Sequence, residues 1–114
     1  MDYQTACNLL ITQGIDAEQH PDALLTRLQQ GIPPIPGQVT AVLLALKVLY
    51  EGLRESTQLE RELACSLHRL SSESRSHFET GRKAGVIWPP LLDEDLTRIA
   101  AAVKSIFAGE WDGG

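Results

Sequence analysis

Apolar residues recur along most of the chain at intervals of three and four, the spacing of one face of an α-helix. The recurrence is clearest near the carboxyl end, at Leu96, Ile99, Val103, Ile106 and Phe107. No segment alternates apolar and polar residues between hairpin turns, as half-buried strands do. The pattern predicts an all-α fold without a sheet.

The first two predicted helices are bounded by residues that typically begin and end helices. The first is expected to begin behind the N-cap Asp2 and to run to Gln13, with Gly14 in left-handed geometry at its end. The second is expected to begin at Pro21, because proline suits the first helical position, and to end at Gly31.

The connector 32–37 contains three prolines, so it is predicted to be extended. We expect its two isoleucines to hold it against the core, in preference to its serving as a proline-rich ligand for a partner's aromatic groove. The third helix follows from Gln38 to about Glu55, with Gly52 as an alternative end. It is apolar on nearly every face, which predicts a central position in the fold.

The fourth helix is predicted to begin at a capping box in which Thr57 and Glu60 satisfy each other's backbone amides. Gly85 is expected to end it. Its apolar stripe weakens after Leu70, so we expect residues 71–83 to be helical but more exposed.

The fifth helix is predicted to begin behind the N-cap Asp93 and to end at Gly109, which leaves a short tail, Glu110–Gly114. A chain of 114 residues has room for one modest core. We therefore predict a single domain over residues 1–114: a small antiparallel bundle of four to five helices around the apolar third helix.

Charge and composition exclude several classes of partner. Acidic residues outnumber basic ones by 15 to 10, which gives a net charge of −5 and disfavours binding to nucleic acid. The longest apolar run, residues 41–50, is about half of the ~20 residues that a transmembrane helix needs, so no membrane insertion is expected. The start of the chain lacks the regions of a secretory signal, and two cysteines make no disulfide framework. We therefore expect a cytoplasmic protein.

Motifs for catalysis and cofactors are missing or incomplete. Neither a phosphate-binding loop nor a dinucleotide-binding glycine motif occurs, so no nucleotide cofactor is expected. Cys65 and His68 are spaced to share a metal on one helix face, but no second close pair of ligands exists, and Cys65 is expected to be a half-buried apolar residue. The acidic residues 93–95 are accounted for by favourable placement at a helix start. We predict no catalytic, cofactor-binding or metal-binding residues, and hence no enzyme.

Basic residues recur every seven positions along the fourth helix, at Arg61, His68, Arg75 and Arg82. This spacing places them on one face. Two interpretations are open: a solvated helix face, or a strip that docks onto a partner with an acidic surface through bidentate guanidinium contacts.

The loop around Trp88 is the second candidate for binding. It contains five apolar residues, Val86, Ile87, Trp88, Leu91 and Leu92, more than a connector of this length needs. Trp88 either closes the end of the bundle or anchors an interface, since tryptophan is enriched at interface hot spots. The sequence leaves both open.

Two segments carry a resemblance to a known family. The run 34–47, beginning Pro-Ile-Pro-Gly-Gln-Val, and the run 88–96, Trp-Pro-Pro-Leu-Leu-Asp-Glu-Asp-Leu, resemble a family of short cyanobacterial proteins of uncharacterised activity, over nearly the full chain. Some of its members carry an automatic dethiobiotin synthetase label. That enzyme is a phosphate-loop α/β protein, so the label does not fit this sequence. The resemblance implies a cyanobacterial setting and no established chemistry.

These observations favour a small helical protein-interaction module: an adaptor, assembly factor or regulator with a protein partner or a second copy of itself as a homodimer. One alternative is a small enzyme or enzyme subunit with a site inside the bundle, but the third helix offers no acidic or histidine side chain on its apolar faces. A second alternative is a helix-turn-helix nucleic-acid binder, which the arginines of the fourth helix allow and the net charge disfavours.

Overall fold

Five α-helices and one short 3-10 helix account for 67% of the computed structural model, which describes residues 1–112. In chain order they are α1 (Tyr3–Gln13), the 3-10 helix (Ala17–Gln19), α2 (Leu24–Gln29), α3 (Gln38–Gly52), α4 (Arg61–Lys83) and α5 (Leu92–Ala108). No strand occurs in the described part of the chain, so the predicted all-α fold is confirmed. The last two residues of the predicted tail, 113–114, lie outside the described residues.

Four helices form a ring in which α3 and α4 are diagonally opposite. Both α1 and α5 pack against α3 and against α4, and α2 lies outside the ring on α4. The apolar composition of α3 predicts a central position, but α3 is instead one of the four ring helices. Its neighbours α1 and α5 leave an outward strip, on which Leu44 is 51% exposed.

Helices that follow one another around the ring differ in relative direction. The start of α1 meets the end of α3, where the Tyr3 ring lies over Gly52, so these two helices are antiparallel. Between α4 and α5 the seam is also antiparallel, because Arg75 of α4 reaches the first turns of α5. α3 and α5 run parallel, since Tyr50 near the end of α3 contacts Trp111 just beyond the end of α5. The chain therefore forms a bundle with two antiparallel seams and at least one parallel seam.

The core lies where the four ring helices meet. Its largest fully buried side chains are apolar, with α2 contributing two leucines: Leu10, Leu24, Leu28, Val42, Leu46, Leu49, Leu67, Leu70, Leu96 and Ile99. Three serines, Ser66, Ser74 and Ser105, are buried among them. Each of their hydroxyls donates to a backbone carbonyl, so none of these polar groups is buried without a partner.

Several predicted helix ends are confirmed. The Asp2 carboxylate accepts a 2.7 Å hydrogen bond from the Thr5 amide, which lowers the pKa of this N-cap. Gly31, Gly85 and Gly109 all have positive φ just beyond the ends of α2, α4 and α5. The sequence left the end of the third helix open between Gly52 and about Glu55, and the helix ends at Gly52.

Other predicted ends are wrong because residues distant in sequence decide them. Gly14 follows α1, but its φ is −108°, outside the left-handed region. α2 begins at Leu24 instead of Pro21, because the Gln13 side chain of α1 accepts a 2.6 Å hydrogen bond from the Leu24 amide and caps the helix there. The isoleucines of the connector 32–37 are each more than a third exposed, so they hold the connector against the core only in part.

The starts of α4 and α5 also differ from prediction. Thr57 does not cap α4, which begins at Arg61; the Ser56 hydroxyl instead holds residues 56–58 in a separate turn through bonds to the Gln58 backbone. Asp93 lies inside the first turn of α5, which begins at Leu92, and its carboxylate accepts from Arg75 of α4 instead of capping the helix.

Candidate interaction surface at the proline end

The predicted basic strip of α4 is divided by the packing of α5. Arg61 and His68 are exposed, and neither makes an ion pair within residues 1–112. Arg75 is half-buried at the seam with α5, and Arg82 is ion-paired with Glu79. The four residues share one side of the helix, but they do not form one free surface.

Arg75 is the main polar link between α4 and α5. Its guanidinium donates to the Asp93 carboxylate at 2.6 Å, to the Asp93 carbonyl at 3.0 Å and to the Thr97 hydroxyl at 3.0 Å. It also lies 3.7 Å from Glu79 and 5.2 Å from the centre of the Phe78 ring. These partners within the chain occupy both terminal nitrogens of the guanidinium, which the docking interpretation assigned to an external carboxylate.

Trp88 is held inside the end of the bundle. Its indole N–H donates to the Phe78 carbonyl at 3.0 Å, and its ring stacks on Phe78 with centroids 5.9 Å apart. The ring also covers Gly81, where a Cβ would lie 2.6 Å from it. Of the two interpretations that the sequence left open, these contacts favour Trp88 as a closing residue.

Of the five apolar residues that the sequence pattern grouped in this loop, Ile87 and Leu91 are the exposed ones. Ile87 is 92% exposed and Leu91 is 64% exposed. In contrast, Trp88 is half-buried and Leu92 is buried. The periodicity of the flanking helices does not extend into the loop, so it could not show which of these side chains face outward.

The loop that carries Ile87 is fixed before and after it. The amide of Val86 donates to the Gly81 carbonyl and that of Gly85 to the Arg82 carbonyl, which is a Schellman end for α4. After Ile87, the half-buried Trp88 ring packs against α4, and the Leu92 amide donates to the Pro89 carbonyl. Ile87 is therefore presented by a backbone that is anchored on both sides.

An apolar groove lies beside this loop, between the connector 32–37 and the start of α5. Its lining is mostly apolar and includes prolines from both walls: Pro34, Ile35, Gly37, Val39, Thr40, Pro89, Leu91, Leu92 and Asp95. The connector wall is also fixed, because the Gln38 side chain accepts from the Ile35 amide and donates to the Asp22 carbonyl. We call Ile35, Ile87, Leu91 and this groove the proline end.

Chemically reactive side chains lie away from the proline end. Cys65 is exposed, not half-buried as predicted, because it lies on the side of α4 opposite its inward-facing leucines. Cys7 is buried, and this burial raises the pKa of its thiol, as does the carboxylate of Glu60. A thiol with a raised pKa stays protonated and is a poor nucleophile near neutral pH.

Two further observations concern metal binding and membrane insertion. Among residues 1–112, no three His, Cys, Asp or Glu side chains are grouped so that they could hold a metal. Within the same residues, no helix combines the length and apolar character needed to cross a bilayer.

Comparison of the chain with protein-family models, curated proteins and solved structures gave no match. The cyanobacterial setting implied by the resemblance therefore stays a prediction. The proline end has to be interpreted from its own residues.

Proposed function

We propose that this chain is a small helical protein-interaction module, of the adaptor, assembly-factor or regulator type, that acts through the proline end. The observation that supports this most strongly is Ile87, a large apolar side chain that is 92% exposed on an anchored loop. Leu91, on the same loop, and Ile35, on the connector wall of the groove, are further exposed apolar residues. Several large exposed apolar side chains at one end of a molecule are typical of a protein-binding site.

The rigidity of the loop supports the proposal further. Binding orders side chains and loops, and that ordering opposes association. The Schellman end of α4, the packing of Trp88 on α4 and the two prolines at 89–90 reduce this cost before a partner arrives. The proposal assigns binding to Ile87 and Leu91, with Trp88 as the residue that positions their loop. Arg61 and His68 remain exposed on α4 as candidates for a secondary contact.

The test is affinity capture with the tagged full chain from extracts of the cells that produce it. Three proteins are compared: the unchanged chain, Ile87→Asp, and Phe107→Asp as the control. Phe107 is also an exposed apolar residue, at 53%, but it lies at the opposite end of α5. Circular dichroism and thermal unfolding establish that each variant is folded.

We expect proteins that bind the unchanged chain to bind Phe107→Asp equally and to be reduced at least tenfold on Ile87→Asp, because a carboxylate buried in an apolar interface is strongly unfavourable. If folded Ile87→Asp retains the same proteins in the same amounts, the proline end is not the interaction surface.

A further inference from the structure

We propose that the occupant of the proline end is a second copy of this chain, bound in a two-fold symmetric dimer. The inference rests on the function proposed above and names its partner. Each copy offers both a protruding apolar group, Ile87, and an apolar groove between Ile35 and Leu91. A two-fold interface joins one patch to the same patch on the partner, so it requires a surface that carries both.

The distribution of charge allows two copies to meet at the proline end. Residues 75–98, which include the loop and the start of α5, contain four basic and four acidic residues and are neutral overall. The connector wall lies within residues 28–46, which contain no charged residue. The rest of the chain therefore carries the whole net charge of −5. Two copies that meet at this surface are therefore not opposed by a net charge there.

Ion pairing within the chain argues against a strongly charged partner at the same place. Arg75, Arg82 and Arg98 are each paired with a carboxylate of their own chain, to Asp93, Glu79 and Asp95 respectively. Neither an acidic nor a basic partner surface would find a run of free opposite charges here.

Two charged residues of the segment lack an ion pair within residues 1–112. They are Lys83, at the end of α4, and Glu94, in the first turn of α5. Because their signs are opposite, Lys83 of one copy can pair with Glu94 of the other, and the two-fold axis repeats the contact. The charges left over within one chain are thus complementary between two chains.

Sedimentation equilibrium of the full chain tests the dimer from about 1 µM to about 1 mM, which spans the affinities typical of small interfaces. We expect the unchanged chain and Phe107→Asp to pass from monomer to dimer within this range. Ile87→Asp is expected to weaken dimerisation at least tenfold. A chain that stays monomeric throughout, or an Ile87→Asp variant that dimerises like the unchanged chain, would overturn the inference.

A charge exchange tests the symmetric pairing separately. Lys83→Glu and Glu94→Lys each place like charges against each other in a homodimer, so each variant alone should dimerise more weakly than the unchanged chain. An equimolar mixture of the two restores opposite charges at both contacts, and we expect it to form heterodimers. If the mixture associates no better than either variant alone, the proposed pairing is wrong.

Failure of the dimer and failure of the proposed function give different results. If the chain is monomeric but its capture of other proteins still depends on Ile87, the proposed interaction module stands and the proposed dimer is wrong. If Ile87→Asp changes neither dimerisation nor the capture of other proteins, both the interaction surface and the dimer are wrong.

Discussion

At the scale of single residues, Gly14 is required by a close contact between two helices, whereas the local sequence pattern attributes it to a left-handed helix end. Gly14 was predicted as a left-handed helix end, and α1 does end there, but φ is negative. A Cβ on Gly14 would lie 2.2 Å from the Ser66 hydroxyl oxygen. That hydroxyl donates to the Leu10 carbonyl and accepts from the Ile15 amide, so it ties the end of α1 to α4. Residue 66 is too distant in sequence for local pattern to reveal the contact.

We predict that Gly14→Ala lowers the free energy of unfolding by about 1–3 kcal/mol, the usual cost of an added methyl group in a tightly packed site. Urea unfolding measures the change. Ser66→Ala in the same chain removes the atom in closest conflict, so Gly14→Ala should cost less in that background than in the unchanged chain. A Gly14→Ala variant within about 0.5 kcal/mol of the unchanged chain, a change typical of a neutral surface position, would contradict the contact.

At the scale of helices, ends that depend on neighbouring residues were predictable except for the start of α4, and ends that depend on another helix were not. Asp2 caps α1 through an amide three residues away, and Gly85 ends α4 through its own φ. The start of α2 is fixed instead by Gln13 of α1, and Asp93 is drawn away from capping by Arg75. Local signals thus located five helices, while contacts between helices shifted their first residues.

The basic strip of α4 gives a prediction at the same scale. Arg75→Ala should lower the free energy of unfolding by about 1–2 kcal/mol, since it removes three hydrogen bonds to α5 at a site that is a third exposed. Arg82→Ala is the matched control on the same helix. It loses only an exposed pair with Glu79 and should cost less than about 0.5 kcal/mol. Equal losses in chemical unfolding would mean that Arg75 does not link the two helices.

At the scale of the whole molecule, periodicity predicted the all-α class but not the arrangement of the helices. In the ring, α3 lies beside α1 and α5, and its residue Leu44 faces outward. The apolar composition of α3 suggested instead that this helix lies at the centre of the fold. The sequence predicted which loop carries the candidate site but not which of its side chains face outward. The excess of apolar residues in the loop indicated binding, and Trp88, the largest of them, was the candidate anchor. The most exposed side chain of the loop is its neighbour Ile87, and this exposure depends on how Trp88 packs against α4.

The most direct test of the proline end as the interaction surface is an isotope-filtered nuclear Overhauser experiment. It uses an equimolar mixture of methyl-labelled and unlabelled full chain at a concentration where the dimer forms. The account predicts contacts between copies from the Ile87 methyl groups to side chains of the groove, Ile35 and Leu91 above all. A dimer whose contacts between copies arise from another face, with none from Ile87, would contradict it.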